Sequence, residues 1–222
     1  MIKTPKQYAD RVEAGRMLAQ HLRTYAEDRP VVVGLPRGGV VVAAEAAREL
    51  GCELDVIVAG KLRAPGNPEL AIGAVTEDGL VFLNYSLIRS LHIRNDYIEE
   101  EKRQRLEAVR VRLASYRAIK KKAPLNGRTV ILADDGLATG ATMMSAIQAV
   151  KAENAAKICV AVPGGPADTV NTIMEMGGIT EVICPIIPAV FYAVSQLYMD
   201  FNQVEDAEVV AILKEFAAKE RI

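Results

Sequence analysis

Short runs of apolar residues alternate along the chain with longer segments in which apolar residues recur at helical spacing. The short runs are rich in β-branched residues, which predicts buried strands at 31–35, 54–59, 129–133, 157–162 and 181–187. Helical spacing and helix-end signals predict helices at 6–27, 40–50, 142–153 and 205–220. Because each predicted strand is a continuous apolar run, we expect an open, mainly parallel sheet with helices on both faces, an α/β fold.

The middle of the chain departs from this alternation. Residues 61–80 are rich in proline and glycine and have little periodicity, which predicts a loop. A third strand is predicted at 81–84. A long charged helix is predicted at 85–119, with a narrow apolar seam of Leu106, Val109, Leu113 and Tyr116. We expect this seam to pack on its own domain; a contact between subunits is the alternative.

Composition fits a single domain covering residues 1–222, half of which are apolar. With 27 basic and 28 acidic residues the net charge is −1, and no segment is strongly basic, so nucleic acid is not an expected partner. No run approaches the roughly 18 apolar residues of a membrane span, and the N-terminus lacks a signal-peptide core, so we expect a cytoplasmic protein without a membrane partner. Cys52, Cys159 and Cys184 lack CxxC spacing and are expected to be small buried side chains.

Two loops that follow predicted strands carry unusual residues. The first loop, "GLPRGG", covers 34–39, and the second loop, "DDGLATGAT", covers 134–142. In open parallel sheets, ligands bind beyond the carboxyl ends of the strands. The second loop contains glycines, which allow unusual backbone angles, together with small alanines and two threonine hydroxyls. A predicted helix follows the loop, and the free N–H groups at the start of that helix predict a phosphate cradle. It lacks the lysine of a GxxxxGK[ST] loop, which disfavours ordinary P-loop chemistry.

Asp134 and Asp135, the acid pair, would repel a phosphate placed beside them. They fit a ligand that presents two hydroxyls or a hydrated cation at that point, since carboxylates accept charge-assisted hydrogen bonds from a diol. The alternative for either residue is that it caps the following turn. A ribose with a 5′-phosphate offers both features, a diol for the acids and a phosphate for the loop.

The stretch from 130 to 142 resembles the phosphoribosyl-pyrophosphate signature of type I phosphoribosyltransferases. The resemblance implies a core sheet of order 3-2-1-4-5, with the first and second loops facing one crevice. It implies that the acid pair binds the ribose 2′- and 3′-hydroxyls. It also implies that Ala138, Thr139, Gly140, Ala141 and Thr142 hold the 5′-phosphate.

The first loop corresponds in that family to the loop that binds pyrophosphate, often through a non-proline cis peptide. Gly38 and Gly39 would let the backbone approach the ligand, and Arg37 would neutralise phosphate charge. On its own, "RGG" also fits a simple strand-to-helix turn.

Over roughly residues 8–215 the chain resembles an uncharacterised branch of the same family, through "LPRGGV", "KLRAPGNPELAIGAV", "DDGLATGAT" and "FYAVSQLYMDFNQV". This resemblance implies that the protein binds phosphoribosyl pyrophosphate and forms a homodimer. It also implies that Mg²⁺ is held mainly through substrate oxygens and water, with no dedicated protein metal site. It further implies a small hood formed by about 185–222 and the N-terminal helix.

Four further residues are candidates for chemistry. Lys61 and Glu69 lie where the family has a mobile loop, and we expect Lys61 to reach the pyrophosphate and Glu69 to act as general acid or base; charged surface residues are the alternative. Together with the acid pair they are the catalytic candidates. Phe191 and Tyr192 are candidates for stacking on the base, and a small core is the alternative.

The resemblance implies a Mg-dependent transferase that moves a 5-phosphoribosyl group to a nitrogenous base and releases pyrophosphate. Enzymes for 6-oxopurines have an aspartate where this chain has Ala138, which makes that acceptor class less expected. A non-catalytic sensor of phosphoribosyl pyrophosphate or nucleotides is the alternative. Hydrolysis of a phosphorylated sugar at the same site is a third possibility.

Overall fold

The structure is a computed structural model that describes residues 6–219, apart from the side chains of Pro68 and Glu69. The strands, in chain order, are β1 Val31–Gly34, β2 Glu53–Val56, β3 Ala59–Ala64, β4 Asn67–Thr76, β5 Val81–Leu83, β6 Thr129–Ala133, β7 Lys157–Ala161 and β8 Glu181–Ile183. The α-helices are α1 Arg11–Leu22, α2 Gly38–Leu50, α3 Tyr85–Ser90, α4 Asn95–Arg117, α5 Ala141–Ala152, α6 Ala167–Glu175 and α7 Asp206–Lys219. Two 3₁₀ helices span Arg23–Asp28 and Val194–Leu197.

Five parallel strands form the main sheet in the order β2-β1-β6-β7-β8. All residues of β1 and β6 are buried, which explains why these strands read as continuous apolar runs. The predicted α/β fold is confirmed, as is the prediction that the first strand lies beside the strand at 129–133. In this pair Gly34 lies opposite Ala133, so the chain leaves both strands at the same level of the sheet.

The segment between β2 and α3 forms a second sheet of three antiparallel strands, β3-β4-β5. The prediction of a loop at 61–80 is therefore wrong. The strand predicted at 81–84 exists as β5, but it pairs with β4 in the second sheet and not with β2. Strand β2 is therefore the edge of the main sheet. The implied order 3-2-1-4-5 holds for predicted strands two, one, four and five, and the third strand is missing from it. The glycines that suggested a loop are turn residues with positive φ, Gly66 at 71° and Gly79 at 79°.

The long helix predicted at 85–119 is divided into α3 and α4, and His92, with a φ of 51°, lies in the break. Within the seam, Val109 and Tyr116 are buried, and Leu106 and Leu113 are partly buried against other apolar side chains of the chain, which confirms that the seam packs on its own domain. The helix predicted at 6–27 ends as an α-helix at Leu22 and continues as a 3₁₀ turn. Helix α6 is absent from the sequence prediction.

Two apolar clusters cover the faces of the main sheet. One contains buried residues of α1, α2 and α7, and the other contains those of α5 and α6. A third, smaller cluster lies at the carboxyl edge of the sheet and is called the hood cluster here: Tyr8, Ala14, Met17, Ile186, Phe191, Val194, Leu197, Tyr198 and Phe201. Of the segments expected in the hood, α7 packs in the main core instead, through Val209, Leu213 and Phe216.

Asp55 ties the edge strand β2 to α4 and to the chain that follows it. Its side chain is 4% exposed and accepts hydrogen bonds from the Arg117 guanidinium and from the backbone N–H of Ala123, the latter at 2.9 Å. Arg117 also donates to the Val56 carbonyl at 2.9 Å.

Replacing Asp55 with alanine is expected to lower the free energy of unfolding by about 3 kcal/mol. The substitution removes the direct carboxylate partner of a largely buried guanidinium, whose other carboxylate, Glu77, lies 3.8 Å away, and it leaves the Ala123 N–H without its acceptor. Urea unfolding monitored by circular dichroism measures this loss. The control is Asp96→Ala, at the start of α4, which removes the exposed partner of Arg94. This variant is expected to leave the unfolding midpoint nearly unchanged. Equal midpoints for the two variants would contradict the role given to Asp55.

Candidate active site

The first and second loops meet at the carboxyl edge of the main sheet. The pairing of β1 with β6 continues into the first loop, where the N–H of Leu35 donates to the Ala133 carbonyl at 3.0 Å. The N-terminus of α2 then packs directly against the acid pair. A Cβ atom at Gly39 would lie 2.7 Å from Asp134 Oδ1 and 2.8 Å from its Cα, and one at Gly38 would overlap the Asp135 carboxylate. Both glycines are therefore required for this approach.

The first loop also contains Pro36 and Arg37. The peptide bond between Pro36 and Arg37 is cis, as the resemblance implies. The Arg37 guanidinium forms an ion pair with Glu205 at 3.1 Å, at a partly exposed edge of the site.

Each carboxyl group of the acid pair has one engaged oxygen and one open oxygen. Asp134 Oδ1 accepts the backbone N–H of Asp135 at 2.8 Å, and Asp135 Oδ2 accepts Nε–H of Arg11 at 2.8 Å. No N–H or O–H group among residues 6–219 donates to Asp134 Oδ2 or Asp135 Oδ1, and neither oxygen is a buried atom without a partner. Two adjacent acceptor oxygens are therefore available to a ligand.

The electrostatic environment of the two acids differs. Burial raises the pKa of Asp134 well above its ordinary value, and the neighbouring charge of Asp135 and a hydrogen bond between the two carboxyl groups raise it further. The N–H of Asp135 and the charge of Arg11 oppose this shift only in part. Asp135, in contrast, has Arg11 as a direct counter-ion.

The second loop leads into α5 without a capping side chain. Within the described chain, the backbone N–H groups of residues 138–142 have no hydrogen-bond acceptor, and no side chain caps α5. Gly140 occupies the N-cap position with a φ of 73°, and a Cβ there would lie 2.6 Å from Thr169 Cγ2. The Thr169 hydroxyl donates to the Ala138 carbonyl at 2.8 Å and holds the loop against α6. The result is a preformed set of free donors at a helix N-terminus, as an anion site requires.

Lys61 lies at the same crevice, although it comes from the second sheet. A cavity of about 200 Å³ is lined by Lys61, by residues 134–143 and by Val194. Lys61 is exposed and pairs across β3 and β4 with Ala74. The structure therefore brings Lys61 together with the acid pair and the phosphate cradle. The side chain of Glu69, on β4, lies outside the described part of the structure.

The aromatic residues in the hood cluster and next to it in the chain have different environments. Phe191 is partly buried within that cluster, whereas Tyr192 is 87% exposed. The Tyr198 hydroxyl donates to the backbone carbonyl of Asp135 at 2.6 Å, and its ring stacks on Phe201 with centroids 5.1 Å apart.

Sequence reasoning does not find Arg11. This residue is 124 positions from Asp135 and begins an ordinary amphipathic helix, so its spacing gives no signal of a contact. The sequence shows Tyr198 only as an aromatic residue of the hood, without its hydrogen bond to Asp135.

The acid pair is not part of a preformed metal cage. The described residues contain no group of three or more His, Cys, Asp or Glu side chains placed to hold a metal ion. The three cysteines are free, and burial raises the pKa of Cys52 to about 11 and that of Cys184 to about 12. Among residues 6–219 no helix has the length and apolarity to cross a membrane.

The raised pKa of Asp134 predicts a pH-dependent instability of the ligand-free protein. Below the ordinary carboxyl range, Asp134 holds its proton in the folded and the unfolded chain, and no destabilisation arises. As pH rises, the unfolded chain releases this proton before the folded chain does, so stability falls until the raised pKa is passed.

Asp134→Asn removes this destabilisation and keeps an oxygen that accepts the Asp135 N–H. Urea unfolding between about pH 4.5 and 8 is therefore expected to show a variant that is more stable than the wild type, by a margin that grows with pH. Glu107→Gln, at an exposed position of α4, is the control and should show no growing margin. Parallel stability curves for Asp134→Asn and wild type would contradict the assignment.

Comparison with known proteins identifies the family. Residues 6–202 match the family model described as phosphoribosyl transferase domain. Two Mycobacterium tuberculosis proteins, from strains CDC 1551 / Oshkosh and ATCC 25618 / H37Rv and each named "Putative phosphoribosyl transferase", are 44% identical over 208 residues. The match covers 94% of this chain but 46% of either relative, so the chain spans less than half of their length.

A solved structure agrees with this result. The crystal structure of TT1426 from Thermus thermophilus has 42% sequence identity and a TM-score of 0.80, and the match covers 95% of this chain and 99% of that one. The chain belongs to the phosphoribosyl transferase domain family.

Proposed function

We propose that this protein is a phosphoribosyltransferase: it binds phosphoribosyl pyrophosphate and transfers the 5-phosphoribosyl group to a nitrogenous base, with release of pyrophosphate. One observation carries the proposal. The two open oxygens of the acid pair and the free N–H groups that lead into α5 line a single crevice. A diol acceptor and a phosphate donor set thus lie within one short loop.

The phosphate end of the ligand is assigned to residues 138–142. Their free N–H groups and the positive end of the α5 dipole stabilise an anion, and the Thr139 and Thr142 hydroxyls add further donors. Ala138 and Ala141 leave room for the phosphate. Because no protein group caps these donors, the ligand replaces water and not an internal partner.

The ribose is assigned to the acid pair. Hydrogen bonds from its 2′- and 3′-hydroxyls to Asp134 Oδ2 and Asp135 Oδ1 would each contribute about 1.5–3 kcal/mol when the accepting carboxyl group is ionised in the complex. Because the two carboxylates face the sugar in this arrangement, their negative charge is kept away from the 5′-phosphate.

The pyrophosphate is assigned to the side of the first loop and Lys61. Gly38 and Gly39 bring the start of α2 against the acid pair, and the Lys61 ammonium stabilises the charge that develops on the leaving group. Arg37 is held by Glu205 in a partly exposed ion pair, which contributes little and can be exchanged for a phosphate.

Mg²⁺ is the metal that the family and this ligand imply. The open carboxylate oxygens of the acid pair fit a hard cation that keeps several waters and is held chiefly by substrate oxygens. When bound, Mg²⁺ would neutralise charge on the departing pyrophosphate.

The chemical step exchanges one bond at ribose C1. The bond from C1 to the pyrophosphate oxygen breaks, a bond from C1 to a nitrogen of the base forms, and the proton on that nitrogen is released. The protein aligns the two substrates and stabilises the leaving charge. Glu69 is the candidate for receiving the proton. Phe191 and Tyr192 remain the candidates for contact with the base, beside Val194 at the rim of the crevice.

The remaining parts of the proposal concern context. We propose a cytoplasmic protein, which three free cysteines with raised pKa values support, and a homodimer. A 6-oxopurine acceptor is disfavoured, because Ala138 cannot take the role of the aspartate that enzymes for this class have at the same position.

The test is release of pyrophosphate from phosphoribosyl pyrophosphate and Mg²⁺ across a panel of nucleobases and related nitrogen heterocycles. The matched blank is the variant with Asp134→Asn and Asp135→Asn, which keeps the size of both side chains. We expect release above the blank with one acceptor class, because the amides of the blank lose the charge-assisted hydrogen bonds to the ribose hydroxyls.

Release that needs no acceptor would replace transfer by hydrolysis. Absence of release with every acceptor, while phosphoribosyl pyrophosphate still binds, would replace the enzyme by the sensor. Equal release by the blank would contradict the role of the acid pair.

A further inference from the structure

The interaction of Arg11 with the acid pair has no counterpart in the function proposed so far. Nε–H of Arg11 donates to Asp135 Oδ2 at 2.8 Å, and one terminal nitrogen donates to the Asn202 carbonyl at 2.7 Å. The centre of the guanidinium lies 3.9 Å from the centroid of the Phe201 ring. Its side chain is only 11% exposed, so these contacts fix it in one position.

The contact made by Arg11 leaves the ligand-facing oxygen free. Arg11 binds Oδ2, the oxygen that lies against Gly38, and no donor among the described residues reaches Oδ1. The backbone of Asp135 is held independently, since its carbonyl accepts the Tyr198 hydroxyl at 2.6 Å. Both Phe201 and Tyr198 belong to the hood cluster. The side chain and the backbone of Asp135 are thus anchored to the same part of the molecule.

We propose that Arg11 is a positioning residue for the ribose: it holds one oxygen of Asp135 so that the other stays open to a ribose hydroxyl, and it ties this carboxylate to the hood cluster. The inference rests on the proposed function. Arg11 also acts as the counter-ion that allows two adjacent carboxylates to be charged together when the ligand binds.

The charged groups around Asp135 define what should change when Arg11 is removed. Asp134 faces it from the same loop, Arg11 from α1, the Tyr198 hydroxyl from the segment before α7, and Lys61 from β3 across the crevice. Without Arg11, only Lys61 remains as a cation in this set, and no donor among the described residues holds the Asp135 carboxylate in place.

The experiment is titration calorimetry of phosphoribosyl pyrophosphate with Mg²⁺ into the whole protein. For Arg11→Ala we expect about tenfold weaker binding, because a carboxylate that is not fixed loses alignment with the hydroxyl. Arg11→Lys keeps the charge and one donor for Asp135 but loses the second hydrogen bond, so it should recover part of the lost affinity.

Arg16→Ala is the matched control, since it removes the same charge from the same helix but pairs with Glu45, away from the crevice. Its affinity should lie within about twofold of wild type. Unchanged affinity in Arg11→Ala would overturn the inference. Weaker binding that Arg11→Lys does not recover at all would also overturn it, because that result indicates a structural role alone.

Phe201→Leu gives a second route if Arg11→Ala fails to fold. It removes the ring beneath the guanidinium, and we expect a smaller loss of affinity than for Arg11→Ala; unchanged affinity would overturn the inference. Failure of the wild type itself to bind would overturn the proposed function together with the inference. Binding by wild type with equal binding by Arg11→Ala would overturn the inference alone.

Discussion

The candidate site depends on the parallel pairing of β1 with β6 at the centre of the main sheet. Because Gly34 lies opposite Ala133, the first and second loops leave the sheet side by side, and α2 and α5 begin next to each other. The glycines at the start of α2 then allow its backbone to touch the acid pair. A larger side chain at Gly39 would push against the backbone of Asp134, so the acceptor oxygens and the phosphate cradle keep their positions only while these glycines remain.

The ligand-free site is electrostatically unfavourable, and this is consistent with a binding function. Two carboxyl groups lie side by side with one direct cation, Arg11, and burial raises the pKa of Asp134. A helix N-terminus with uncapped donors lies in the same crevice. Each of these features reduces the stability of the folded chain, and each is relieved by a ligand that supplies hydroxyls and a phosphate. Proteins commonly hold such destabilised groups where they bind substrates.

The parts of this molecule that the sequence predicts are those set by local pattern. Continuous apolar runs identify the main-sheet strands, and the acid pair followed by small residues identifies the second loop, because these features depend on neighbours in the chain. The prediction fails at 61–80, where proline and glycine suggest a loop although Gly66 and Gly79 are turns between paired strands. It also fails for α6 and for the placement of α7. Arg11 cannot be found in this way, because its contact with Asp135 depends on how α1 packs against α2, the helix whose first residues touch the acid pair.

The proposed function requires one crevice to bind both the ribose and the 5′-phosphate of a single ligand. A crystal structure of the protein with phosphoribosyl pyrophosphate and Mg²⁺ would examine this requirement without an intermediate step. We predict 5′-phosphate oxygens within hydrogen-bond distance of the N–H groups of residues 138–142, with the ribose hydroxyls on Asp134 and Asp135. A phosphate bound elsewhere, or a ribose whose hydroxyls point away from the acid pair, would refute this assignment of the site.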